Sequence, residues 1–145
     1  MAGEAELTRA DYRHFLEIPT RWMDNDVYGH VNNVEYYSYF DTVVNQYLIE
    51  KGGLDYLAGD TVGFVVETKC SYKRPIAFPD VVEAGIRVAR IGTSSVTYEV
   101  GLFKKGQDAI CAFGHFVHVY VDRATNKSAP IPDQARAAME AIRAD

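Results

Sequence analysis

From Val62 to Val121 the chain alternates apolar and polar residues with a period of two, the mark of half-buried strands. Val62, Phe64, Val66, Thr68, Cys70 and Tyr72 alternate with Gly63, Val65, Glu67, Lys69, Ser71 and Lys73. Val82 to Ala89 and Val96 to Phe103 repeat the pattern, and a long run from Ala109 to Val121 closes the set. Phe78-Pro79-Asp80, Gly92-Thr93 and Lys104 to Asp108 supply the turns between them. A first strand is expected over His14 to Trp22, with Pro19 marking an edge or an irregular end. The period changes at Val34. From there to Lys51, Tyr36, Phe40, Val43, Val44, Tyr47 and Leu48 fall on one helical face. Asn32 with Glu35 reads as a capping box at its start, and Gly52-Gly53 ends it. A short C-terminal helix is expected over Asp133 to Arg143, after Pro130 and Pro132.

One long helix, about five long strands and short connections predict an α+β fold, an antiparallel sheet wrapped around the helix. Interior glycines at 63, 85, 101 and 114 should let the sheet curl and the helix come close. Such a sheet keeps an open edge, which pairing with a second copy would cover. The 145 residues fit one domain, 1–145.

A net charge of −5 argues against a nucleic-acid partner, which needs a basic surface. No apolar run reaches the ~18–20 residues of a membrane span, and the opening MAGEAELTRADYRH is polar, so the expected home is cytoplasmic. Cys70 and Cys111 both sit in apolar patterns and read as buried free thiols. No metal site is expected: His115 and His118, three apart on a strand, point to opposite faces, and His14 reads as a surface residue. G-x-S-x-G, P-loop and dinucleotide-binding motifs are all lacking.

Candidate chemistry concentrates in DNDVYGHVNN, Asp24 to Asn33, where the long helix begins. The first N–H groups of a helix lack partners and carry partial positive charge. A carbonyl placed there is polarised, and Asp26 on the same loop could face it, a centre suited to acyl transfer or hydrolysis. The same residues serve equally as turn and cap: Asp24 and Asp26 as turn or dipole partners, Asn32 and Asn33 as cap residues, His30 as a structural side chain.

The stretch RWMDNDVYGHVNNVEYYSYFD strongly resembles the active-site signature of hot-dog-fold acyl-CoA thioesterases, the 4-hydroxybenzoyl-CoA thioesterase family. The element order is similar over nearly the whole chain. The resemblance implies a hot-dog fold and hydrolysis of an acyl-CoA thioester, with CoA as part of the substrate and no separate cofactor. It implies that Asp26 is the catalytic carboxylate, that the Asn33 N–H holds the thioester carbonyl, and that Asp24 only shapes the loop. Gly29, His30, Val31 and Asn32 would form the substrate loop, and Tyr36 would line the acyl pocket. Arg90, Gly92, Thr93 and Ser94, in RIGTSSV, resemble the segment that contacts CoA. Many relatives place an arginine three residues after the helix acidic residue, whereas here Asp41 is followed by Val44.

The resemblance further implies a homodimer or a tetramer of paired dimers, with sites between subunits, so that Arg90 would serve a neighbour's Asp26. Asp26 would attack the carbonyl carbon itself or activate water. Lys69, Lys73, Arg74, Arg87, Arg90, Lys104 and Lys105 are candidate partners for the CoA phosphates. Two other readings compete. A non-catalytic acyl-CoA-binding module would have no use for an aimed carboxylate. A hot-dog dehydratase pairs its Asp with a dedicated His, and His30 stands too near Asp26 in the same loop for that.

Overall fold

The turns at Gly92-Thr93 and at Lys104 to Asp108 leave no room for a crossover, so the strands they join must run antiparallel. A computed structural model describes residues 6–144; residues 1–5 of the polar opening, and residue 145, lie outside the described residues. Strands β1 (His14–Pro19), β2 (Thr61–Tyr72), β3 (Val81–Ile91), β4 (Ser95–Lys104) and β5 (Ile110–Asp122) form one antiparallel sheet in the order β1-β3-β4-β5-β2. Helix α1 (Asn33–Lys51) packs on one face with the shorter α2 (Asp133–Ala141) beside it. This is the α+β hot-dog arrangement expected, with the C-terminal helix stopping two residues early. Among the described residues, no helix is long and apolar enough to cross a membrane.

Helix α1 buries Tyr36, Tyr39, Phe40, Val43, Val44, Tyr47 and Leu48 against the sheet. Its cap is Asn32, whose Oδ1 accepts the Val34 N–H at 3.1 Å. The expected box does not close, because the Glu35 carboxylate turns to Arg21 Nη2 at 3.5 Å. At the far end, the Gly52 and Leu54 N–H groups both donate to the Leu48 carbonyl, at 2.8 and 3.1 Å.

Strand β1 is an edge strand and stops at Pro19, short of the expected Trp22. The reason is Asp24: its carboxylate accepts the Arg21 N–H at 2.9 Å and folds Trp22–Asp24 into a 3-10 turn. Strand β2, at the other edge, breaks the expected alternation. Its register with β5 slips between Val65 and Glu67, a bulge that exchanges the two faces. Thr68, Cys70 and Tyr72 pair with Phe116, Gly114 and Ala112 on the helix side, whereas Val62 and Phe64 pair with Val121 and Val119 on the outer side.

The interior glycines also work differently from the expectation. A Cβ on Gly101 would lie 2.5 Å from the ring of Tyr12, and one on Gly85 2.7 Å from the ring of Phe15. Both rings lie on the outer face, so the room is taken by the N-terminal segment and not by the helix. Tyr12 is buried there, edge-on to Phe103 at 6.0 Å. Gly114 is a matter of the backbone: a Cβ would overlap the Lys69 carbonyl oxygen on β2. Gly114→Ala must therefore push β2 from β5, and should lower stability by at least ~2 kcal/mol in urea titration.

Two of the histidines follow the strand parity. His115 points outward, its Nε2 2.8 Å from Glu67. His118 points inward, edge-on to Tyr98 at 5.4 Å. The His118 Nε2 and the Tyr98 hydroxyl are buried with no hydrogen-bond partner among the described residues. His14, expected at the surface, is half-buried; it meets Gln46 at 3.1 Å and packs on Tyr47. Cys70 and Cys111 are free thiols, and burial pushes Cys70 up to about 11.

Burial lowers the His118 pKa from its ordinary 6.5, against a smaller opposing pull from Asp41. The unfolded chain thus binds the extra proton first, and stability should fall as pH drops below ~6.5 toward the lowered native value. Urea midpoints of wild type and His118→Leu between pH 7.5 and 5 test this, the variant showing the shallower slope.

Candidate active site

Asp24 is 1% exposed, an unusual place for a carboxylate. Arg21 Nε and Nη2 reach its Oδ1 at 2.9 and 2.8 Å, and the Tyr39 hydroxyl donates to Oδ2 at 2.9 Å. Burial pushes its pKa up, but the hydrogen bonds from Arg21 and Tyr39 outweigh this and leave it below the ordinary value. Its carbonyl accepts the Asn32 N–H at 2.8 Å.

Two residues on, the chain makes a tight turn. The Gly29 N–H donates to the Asp26 carbonyl and the Asp26 N–H to the His30 carbonyl, both at 3.0 Å. Gly29 has φ +85°, a region open to glycine and strained for other side chains. The loop is pinned to the segment before β3: Val31 N–H donates to the Ile76 carbonyl at 2.7 Å, and Phe78 N–H to Asn25 Oδ1 at 3.0 Å.

Asp26 Oδ1 accepts the Tyr28 N–H at 2.9 Å, and its Oδ2 lies 3.4 Å from Asn32 Nδ2. Asn32 thus touches Asp26 with one end of its amide and caps α1 with the other. Beyond it, Asn33 is an exposed residue, and its N–H meets no acceptor among the described residues. A half-exposed carboxylate therefore stands one side chain away from an unused helix N–H. A polar carbonyl bound at that N–H would be polarised there, with an oxygen nucleophile or base close by.

Two openings flank this stretch. His30, Val31, Asn33 and Tyr36 share a cleft of about 290 Å³ with Tyr72, Lys73, Arg74 and Pro75. Tyr36 is buried at its floor, edge-on to Tyr72 at 4.9 Å, and burial pushes the Tyr72 phenol up to about 12. Asp26 opens into a hollow walled by Trp22, Met23, Val27 and Tyr28. Trp22 is 76% exposed and Val27 96%, so this apolar wall is uncovered in the single chain.

Asp26, Gly29 and Asn32 thus line one opening, and His30, Val31, Asn33 and Tyr36 the other, on the two sides of one loop. Arg90, Gly92, Thr93 and Ser94 line neither. They lie where β3 ends, whereas the loop contacts the segment where β3 begins, roughly 30 Å away along an 11-residue strand. Their turn is held by the C-terminal segment: Arg136 donates to the Gly92 and Thr93 carbonyls at 2.8 and 3.0 Å, and Ser128 to Ser94 Oγ at 3.1 Å. Among the candidate CoA cations, Arg74, Arg87 and Lys105 are paired within the chain, with Glu6, Glu99 and Glu17. Val44, where the chain departs from the pattern it resembles, is fully buried. Arg21 and Tyr39 escaped the sequence reading. Their signal was the three-residue spacing of Arg21 and Asp24, and a tyrosine on the buried face of α1.

The thioesterase-like superfamily profile matches residues 20–139. Among solved structures, the PA5185 protein of Pseudomonas aeruginosa superposes with TM-score 0.92 at 54% identity, covering 94% of this chain and 95% of that one. PA2801 of the same species, described as a putative thioesterase, gives TM-score 0.81 at 34% identity over 87% of this chain and 97% of its own. Slr0204 of Synechocystis, a 1,4-dihydroxy-2-naphthoyl-CoA thioesterase, gives 0.79 at 16% identity over 86% and 93%, a likeness of fold alone.

Proposed function

Because this chain belongs to the thioesterase-like superfamily, we propose that it hydrolyses an acyl-CoA thioester to the free acid and CoA. The observation that carries this reading is the pairing of Asp26 with the unused Asn33 N–H across the Asn32 amide. The D-x-D-x-x-G-H-V-N-N loop favours the 4-hydroxybenzoyl-CoA thioesterase branch of the superfamily.

In this reading the thioester carbonyl oxygen sits at the Asn33 N–H, where the α1 dipole stabilises the charge that develops on it. Asp26 either attacks the carbonyl carbon, giving an anhydride that water cleaves, or takes a proton from an attacking water. CoA leaves as the thiolate. Gly29 to Asn32 hold the substrate loop and Tyr36 lines the acyl cleft. The working form is a dimer or paired dimers, which would cover Trp22, Met23, Val27 and the exposed Phe64, Val65 and Val66 of the β2 edge. The separation of Arg90 to Ser94 from Asp26 within one chain supports a composite site, one subunit giving the carboxylate and its neighbour the CoA contacts.

Thiol release from short, medium, long and aromatic acyl-CoAs tests the proposal. Turnover of at least one class is expected. Tight ester binding without release from any class would overturn it in favour of a binding module.

A further inference from the structure

We propose that Asp24, Arg21 and Tyr39 form a strut, built on the buried Asp24 carboxylate, that fixes the Asp26 carboxylate relative to the first N–H groups of α1. They would be positioning residues for the hydrolysis proposed above, and the inference rests on that reading. Four donors converge on one carboxylate: Arg21 Nε and Nη2 on Oδ1, and the Arg21 N–H and Tyr39 hydroxyl on Oδ2, all within 2.9 Å. A group ringed by donors alone is held as the acceptor-only, ionised form. An ordinary polar turn leaves such a group to water.

What the carboxylate joins matters more than its burial. Tyr39 belongs to the second turn of α1, so the side chain is tied to the body of the helix. The Asp24 carbonyl takes the Asn32 N–H, so its main chain is tied to the cap. Arg21 Nη2 adds a tie to Glu35 in the first turn. Asn32 is the residue whose amide touches both Asp26 and the Val34 N–H. A small rotation of Asp24 would thus move the carboxylate and the helix start relative to each other. The Arg21 side chain is 62% exposed, so the ion pair adds little stability, whereas specifying one geometry is a better-attested use of such a pair. Misplacement of reacting groups by about 1 Å can slow an enzyme roughly 10²-fold.

The test is Tyr39→Phe, which deletes one donor and keeps the ring that packs beside Tyr36. It is assayed with Asp24→Asn and Asp26→Asn on the best acyl-CoA of the panel. Tyr39→Phe should lower kcat about 10-fold with KM unchanged within about 2-fold, and its melting temperature should stay near wild type. Folded Tyr39→Phe and Asp24→Asn proteins with wild-type kcat would overturn the strut. If Asp26→Asn turns over normally while Tyr39→Phe is slow, the strut stands, acts on the helix start alone, and the role given to Asp26 falls. If wild type hydrolyses no ester, the reaction reading fails, and amide exchange at Asn32 and Val34 decides the strut by itself. Exchange about 10-fold faster in Tyr39→Phe upholds it; unchanged exchange overturns it.

Discussion

Asp26→Asn should cut thiol release by ~10²–10⁴-fold, the range for loss of a positioned acid–base group. At ~1.36 kcal/mol per tenfold this is about 2.7–5.4 kcal/mol of transition-state stabilisation. The substitution keeps the size of the side chain and its acceptor toward Tyr28, so the Asx-type turn at Asp26 should survive. The loss should therefore fall on kcat, with ester binding and melting temperature near wild type. A variant that keeps more than a tenth of wild-type kcat would remove Asp26 from the chemistry. After a single turnover in ¹⁸O-labelled water, label in the Asp26 carboxylate would identify direct attack with water opening the anhydride at the Asp26 carbonyl, since the general-base route leaves both Asp26 oxygens in place.

Phe40→Ala should be the most damaging core substitution on α1. Phe40 is fully buried and meets Phe116 and Tyr37 edge-on, each at 5.9 Å. Truncating such a ring typically costs about 3–5 kcal/mol, through lost burial and the cavity left behind. In urea the midpoint should fall with an unchanged slope, since the exposed surface on unfolding is nearly the same. A loss below ~1 kcal/mol would mean that the sheet closes over the gap.

What could be read from the residues was mostly local. The periodicities from Val34 to Lys51 and from Val82 to Val121 reflect which faces must be buried, and the helix and strands β3 to β5 follow them closely. The loop from Asp24 to Asn33 was legible because its cap, its glycine turn and its carboxylates act within a few residues of each other. Four features depend on distant partners and were not legible. Phe64-Val65-Val66 is apolar without a break, so nothing in it marks the bulge that exchanges the faces of β2. Gly85 and Gly101 are small on account of Tyr12 and Phe15, on the opposite side from the helix. Asp24 reads as a solvated turn residue until Tyr39, fifteen positions later, is seen against it. The distance from Asp26 to Arg90 is a property of strand order, which no local pattern carries.

Tyr12 belongs to the unit of folding although it lies outside the matched stretch. The superfamily match starts at residue 20, after β1 and after Tyr12. A chain trimmed to that stretch would lose an edge strand and would uncover Phe103 and Ile110, which are fully buried beside Tyr12. Two bare glycines would then floor an oily furrow on the back of the sheet. The opening segment is thus a structural necessity for the back of the sheet, although no residue of the candidate site lies in it.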